Sequence, residues 1–198
     1  MNTPIILASS SPFRQQILKK IGLPFDSFSP DIDESPIALE SPESLVYRLS
    51  EAKAKSAINR YEKGIVIGSD QVAVFDNQIL GKPHTKENAI KQLSMFSGQT
   101  VTFYTGLSLY CIEKNKSITK VVPFYVHFRT LSECQISNYL DAEQPYNCAG
   151  SFKSEGLGIC LFEKLEGEDP NTLIGLPLIE LTKSLAEFGI DVLSQSID

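Results

Sequence analysis

The side chains in this chain that could do chemistry gather where apolar runs end. Ser9, Ser11 and Arg14 follow IILA, and Asp31, Asp33 and Glu34 lie in the acidic stretch SPDIDESP. Asp70 follows IVIGS, Lys82 stands in LGKP, and Lys153 and Glu155 lie in GSFKSEG. In α/β proteins the ends of strands are where sites are commonly built. A carboxylate such as Asp70 in that position holds a hard divalent cation, accepts a proton from water, or merely caps a turn. In LASSSPFRQQIL (residues 7–18), Ser11 fits an N-cap and Pro12 a first helical position, where its missing N–H costs nothing. Free amides and partial positive charge at such a helix end, with Arg14 beside them, suit a phosphate. Phe13, at the second helical position, is either a staple packed under the preceding loop or a surface offered to a ligand. Lys82, between Gly81 and Pro83, is on its own an ordinary surface lysine.

Other chemistries find little support. His84 and His127 have no serine or cysteine motif near them, and neither a Gly-x-x-x-x-Gly-Lys-[Ser/Thr] loop nor a Gly-x-Gly-x-x-Gly fingerprint occurs. Phosphate handling would therefore rely on a helix end, scattered basic residues and a metal. Cys111, Cys134, Cys148 and Cys160 contain no Cys-x-x-Cys pair, which argues against a zinc knuckle or a disulfide framework. The formal charge of −6 weighs against non-specific nucleic-acid binding but not against a nucleotide arriving with Mg²⁺. No apolar run is long enough to span a bilayer, and MNTPIILASS lacks the basic region of a secretory signal, so no membrane and a cytoplasmic location are expected.

These residues need elements to hold them. The pattern predicts a strand over Ile5–Ala8, a helix opening at Ser11, and a helix from Ser41 with Leu45, Leu49, Ala52 and Ala57 near helical spacing. Lys53 and Lys55 fall on different faces of that second helix. GIVIGSDQVAVFDNQILGKP reads as a buried strand, a break at residues 68–70, a second strand and a turn at Asp76 and Asn77. A helix capped by Thr85 and closed by Gly98 follows, then a long hairpin interrupted by EKNKS, then a helix over 132–142. GICLFEKLEG reads as the last strand and LPLIELTKSLAEFG as the last helix. Interleaved strands and helices with a central hairpin predict an α/β protein with a mixed sheet, as one domain over residues 1–198.

In order along nearly the whole chain, LASSSPFR, DIDE, EAKA, GSDQV, LGKP, SGQTVTFYTGL, CAGSFKSEGLG and GLPLIEL resemble the Maf family of nucleoside triphosphate pyrophosphatases. Each motif is weak alone; the series is specific. The resemblance implies an elongated mixed α/β sheet with flanking helices, two lobes around a central cleft, a relationship to inosine triphosphate pyrophosphatases, and frequent homodimers. It implies hydrolysis of a nucleoside triphosphate to the monophosphate and pyrophosphate with a divalent metal, Mg or Mn. Ser9, Arg14, Lys53 and Lys82 then match phosphate-binding positions, Glu34 a polar position suited to metal, and Asp70 the proton acceptor, which doubles as a metal ligand.

Three positions distinguish branches of that family. Where the branch resembling dTTP/UTP pyrophosphatases carries a second arginine, a threonine and a glutamine, this chain has Phe13, Gln71 and Glu155. It resembles instead the branch acting on 7-methyl-GTP, with an aromatic first position and an acidic third. Methylation at N7 makes guanine cationic, so an aromatic face gains a cation–π contribution. A carboxylate accepts from guanine N1–H and the exocyclic amine while opposing the ring's charge. The alternatives are dTTP/UTP hydrolysis and a nucleotide-binding regulator of cell division with little turnover.

Overall fold

The computed structural model describes residues 3–194. In chain order the elements are β1 (Ile5–Ala8), α1 (Pro12–Leu18), β2 (Phe25–Phe28), α2 (Pro42–Lys55), β3 (Ile65–Phe75), β4 (Gln78–Leu80) and α3 (Lys86–Phe96). They continue with β5 (Thr100–Cys111), β6 (Lys116–Phe128), α4 (Glu133–Glu143), β7 (Phe162–Glu166), α5 (Asn171–Ile174) and α6 (Leu178–Glu187). The strands form a seven-stranded sheet in the order β2-β1-β3-β5-β6-β7, with β4 paired to β3. β1 runs parallel to β2 and β3, whereas β3–β4 and β6–β7 are antiparallel. The sheet is therefore mixed, as the alternation of elements around a long hairpin predicts.

Two compact units divide the chain. The first comprises the residues up to Gln71, Thr105–Val122 and the residues from Gly175 onward; the second comprises Val72–Tyr104 and Pro123–Ile174. In the first, all four residues of β1 are buried, which explains why IILA is apolar throughout rather than alternating. Ile6, Ala8, Val66 and Phe28 from the strands pack with Ala54 and Ala57. In the second, Phe128 lies 5.3 Å from Phe96, 5.3 Å from Phe162 and 5.7 Å from Phe152, in tilted to edge-on geometry. Phe152 is thereby fixed immediately before the polar sequence KSEG.

Three expectations need correction, and one strand goes unpredicted. β3 is not broken at residues 68–70 but runs without interruption from Ile65 to Phe75. Gly68 is there because α2 lies against it: a Cβ would come within 2.2 Å of Ser50 O and 2.6 Å of Ala54 N. No strand is predicted between the first helix and the acidic loop, yet parallel register with β1, Ile5 opposite Phe25, makes β2 one even though Asp26 and Ser27 are exposed. α2 ends at Lys55 although apolar spacing extends further, and Ala57 is buried in the turn beyond. The last strand begins only at Phe162, because Leu157–Leu161 coils as a 3-10 turn.

Candidate active site

Lys53 organises the polar cluster of the first unit. It lies on the buried stripe of α2 with Leu49, Ser50 and Ala54, while Lys55 is exposed. The close approach permitted by Gly68 sets this stripe against β3, and Asp70, two residues on, projects from the same face of the strand. Lys53 Nζ donates to Asp70 Oδ1 at 2.6 Å and pairs with Glu34 Oε1 at 3.0 Å. Lys53 and Asp70 are 6% and 8% exposed, whereas Glu34 stands in the exposed acidic loop. An ion pair buried to this degree is tolerable only because each charge satisfies the other.

Arg14 is held by a peptide carbonyl that it shares with Ser69 of β3. Its Nε donates to Gly175 O at 2.8 Å, and Ser69 Oγ donates to the same oxygen at 2.9 Å. Gly175 has φ +110°, a conformation that side-chain-bearing residues rarely adopt, and a Cβ there would stand 3.3 Å from Arg14 Nε. Burial lowers the pKa of the Arg14 guanidinium, while the charges of Asp70 and Glu34 act to raise it. Arginine nevertheless stays charged. Two cations, Arg14 and Lys53, thus share one neighbourhood with two carboxylates, Asp70 and Glu34.

In the turn before α1, Ser9 Oγ accepts from the Ser11 N–H at 3.2 Å and Ser11 Oγ accepts from the Arg14 N–H at 3.4 Å. Both serines shape the turn and use donors that a phosphate would otherwise find at the helix end. Phe13 is half-buried next to Arg14. Gln71 is not brought into the cluster: Ser69 and Gln71 face away from Asp70 across the strand, and Gln71 Nε2 donates to Thr105 Oγ1 at 2.8 Å.

Lys82 and Glu155 belong to the second unit. The turn carrying Lys82 is held by Asn88 Nδ2 on Pro83 O, Gln92 Nε2 on Gly81 O and the His84 N–H on Tyr146 O, at 3.0, 3.0 and 2.9 Å. Lys82 is exposed. Burial raises the pKa of the Cys148 thiol, with the charges of Lys153 and Lys82 acting to lower it and those of Glu155 and Glu143 to raise it. Lys153 is engaged with Glu143 rather than standing open at a strand end. Neither the Gly175 carbonyl nor Glu143 stood out in the sequence; GLPLIEL was the only signal for the first, and nothing marked the second.

A family profile described as Maf-like protein matches residues 4–188. The chain belongs to the Maf family. Among curated Maf relatives, a 7-methyl-GTP pyrophosphatase of Pseudoalteromonas translucida is 66% identical over 194 residues, covering 98% of this chain and 96% of that protein. Proteins of the same name from Colwellia psychrerythraea and Vibrio vulnificus are 59% and 56% identical, each alignment covering at least 96% of both chains. Among solved structures, a HAM1 protein from Coxiella burnetii matches with a TM-score of 0.49 at 12% identity, over 94% of this chain and 100% of that one. Among the described residues no helix is long and apolar enough to cross a membrane.

Proposed function

We propose that this Maf chain hydrolyses 7-methyl-GTP to 7-methyl-GMP and pyrophosphate. The observation that carries the chemistry is the buried Lys53–Asp70 pair with Glu34 and Arg14 around it. The methylated base is supported by the names of the relatives and by Phe13 and Glu155. Water attacks the α-phosphorus, Asp70 accepts its proton, and the bond to the bridging oxygen breaks so that pyrophosphate departs with the electron pair. Arg14 and Lys53 oppose the negative charge that grows on the leaving group. Two of the three Lys53 ammonium protons face Asp70 and Glu34, and the third donates to a phosphate oxygen. Ser9 shapes the turn that presents Arg14, and Lys82 supplies a further cation for phosphate. Phe13 stacks on the base, Glu155 accepts from its N–H groups, and Gln71, through its tie to Thr105, contributes to specificity from behind. The family match across both units supports their action as one domain.

The donor set fits a divalent metal. Among the described residues no three His, Cys, Asp or Glu side chains are grouped to hold an ion unaided. Asp70 and Glu34 both reach a single nitrogen, so both can serve a single hard cation, and Mg²⁺ is usually held by one or two carboxylates plus substrate phosphates. The charges of Arg14 and Lys53 are already balanced by these carboxylates, so a triphosphate needs further positive charge. A metal bound there offsets phosphate charge and activates water.

The test is pyrophosphate release from 7-methyl-GTP, GTP, UTP and dTTP with Mg²⁺ or Mn²⁺, and again with chelator. The expected result is the highest kcat/KM for 7-methyl-GTP and loss of release with chelator, restored by metal. Preference for UTP or dTTP rejects the methylated substrate, and binding without release from any nucleotide favours a regulator.

A further inference from the structure

An acidic residue closing a helix is unfavourable, because the C-terminal carbonyls already carry partial negative charge. Glu143 is the last residue of α4, and Gln144 leaves the helix with φ +47°. Its charge is satisfied by the segment 153–158. Lys153 Nζ donates to Glu143 O at 2.8 Å and to Glu143 Oε1 at 3.2 Å, so one ammonium caps the helix and pairs with the carboxylate. Glu143 Oε2 accepts from the Leu157 N–H at 2.9 Å, and one turn earlier Tyr139 Oη accepts from the Lys153 N–H at 3.1 Å. Gly156 packs so tightly on this carboxylate that a Cβ would stand 2.8 Å from Oε2. The Leu157 amide, then the Lys153 ammonium, hold the Glu143 carboxyl below its ordinary range. Both ends of the segment are fastened to the last turn of α4. Between them Glu155 is exposed, with Ser154 Oγ 3.4 Å from its Oε2.

We propose that Glu143 is a positioning residue for base selection: it fixes the segment on which Glu155 stands, and so fixes where the Glu155 carboxylate meets the guanine N–H groups. The proposal rests on the assignment of Glu155 to the base. Glu143→Gln keeps the size of the side chain, removes its charge and turns one of its two acceptors into a donor.

The experiment measures kcat/KM for 7-methyl-GTP and UTP, together with amide hydrogen exchange over residues 153–158 without nucleotide. It compares wild type, Glu143→Gln, Glu155→Gln and the double variant. Glu143→Gln is expected to speed exchange in that segment and to lower the 7-methyl-GTP/UTP ratio roughly tenfold, mainly through KM for 7-methyl-GTP, because a displaced recognition group loses most of its contact. The double variant should lower the ratio no further than Glu155→Gln alone, since both changes remove one interaction. If Glu143→Gln does not fold, Lys153→Met opens the same clamp from the other side and should shift the ratio in the same direction. A ratio lowered by Glu155→Gln but untouched by the clamp variants overturns the role of Glu143 and leaves that of Glu155 standing. A ratio untouched by Glu155→Gln overturns the base assignment and, with it, the selection role of Glu143.

Discussion

Lys53 and Asp70 share one buried contact, and on the proposed mechanism it serves both stability and rate, which substitutions can separate. Asp70→Asn preserves shape but removes charge and basicity, and kcat should fall by roughly 10²-fold or more if this carboxylate takes the proton. Lys53→Met leaves Asp70 as an uncompensated buried charge and should cost about 3 kcal/mol of unfolding free energy in denaturant titrations. Combining Lys53→Met with Asp70→Asn should recover most of that stability and none of the activity. A double variant as unstable as Lys53→Met alone would mean that Lys53 matters through packing rather than charge. Each of these residues could be picked out in the sequence by type and by motif. That they touch could not, because the contact joins positions 17 apart through a helix lying on a strand. The glycine allowing that approach read instead as a break, since a missing side chain looks the same whether it marks a turn or a close contact.

Elements hold the site by peptide groups as much as by side chains, and these contacts leave little trace in a sequence. Helix starts were legible because caps are local chemistry: Ser11, Ser41, Thr85 and Ser132 each accept from the backbone N–H three residues on. β2 was not, because its pairing with β1 rather than its own pattern makes it a strand. The Gly175 carbonyl, which holds both Arg14 and Ser69, depends on a backbone conformation that alanine strains. Gly175→Ala should destabilise by about 1–2 kcal/mol. It should also lower kcat/KM for every nucleotide by a similar factor if Arg14 meets phosphate rather than base, as proposed. A loss confined to one nucleotide would place Arg14 at the base instead. The clamp at the end of α4 predicts a pH dependence. The folded-state pKa of Glu143 lies below its ordinary 4.5, so its contribution to stability is complete above that value and is lost as pH falls through the folded pKa. The stability difference between wild type and Glu143→Gln, followed by thermal unfolding, should therefore be largest near neutrality and shrink on acidification. A difference independent of pH would show that charge plays no part in the clamp.

Across the whole molecule, groups assigned to phosphate chemistry and groups assigned to base choice are distributed unevenly. Arg14, Glu34, Lys53 and Asp70 lie in the first unit, whereas Glu155 and the clamp that holds it lie in the second. Phe13 and Gln71, assigned to specificity but in the first unit, and Lys82, assigned to phosphate but in the second, depart from this division. On the proposed assignment, phosphate chemistry and base choice call mainly on different residues. The consequence is measurable as independence. Arg14→Gln should lower kcat/KM for 7-methyl-GTP and UTP by the same factor, because both carry the same triphosphate. Glu155→Gln should lower it more for 7-methyl-GTP, because a carboxylate that accepts two guanine N–H groups and opposes the cationic ring becomes an amide with one acceptor. In the double variant the two factors should multiply for 7-methyl-GTP, within roughly the twofold scatter that separate, additive sites show. A double variant far better or far worse than the product would mean that base contacts and phosphate contacts are made as one unit. The binding energy of the methylated guanine would then act on the chemical step itself, and UTP would be slow because its base fails to align the α-phosphorus rather than because it binds weakly.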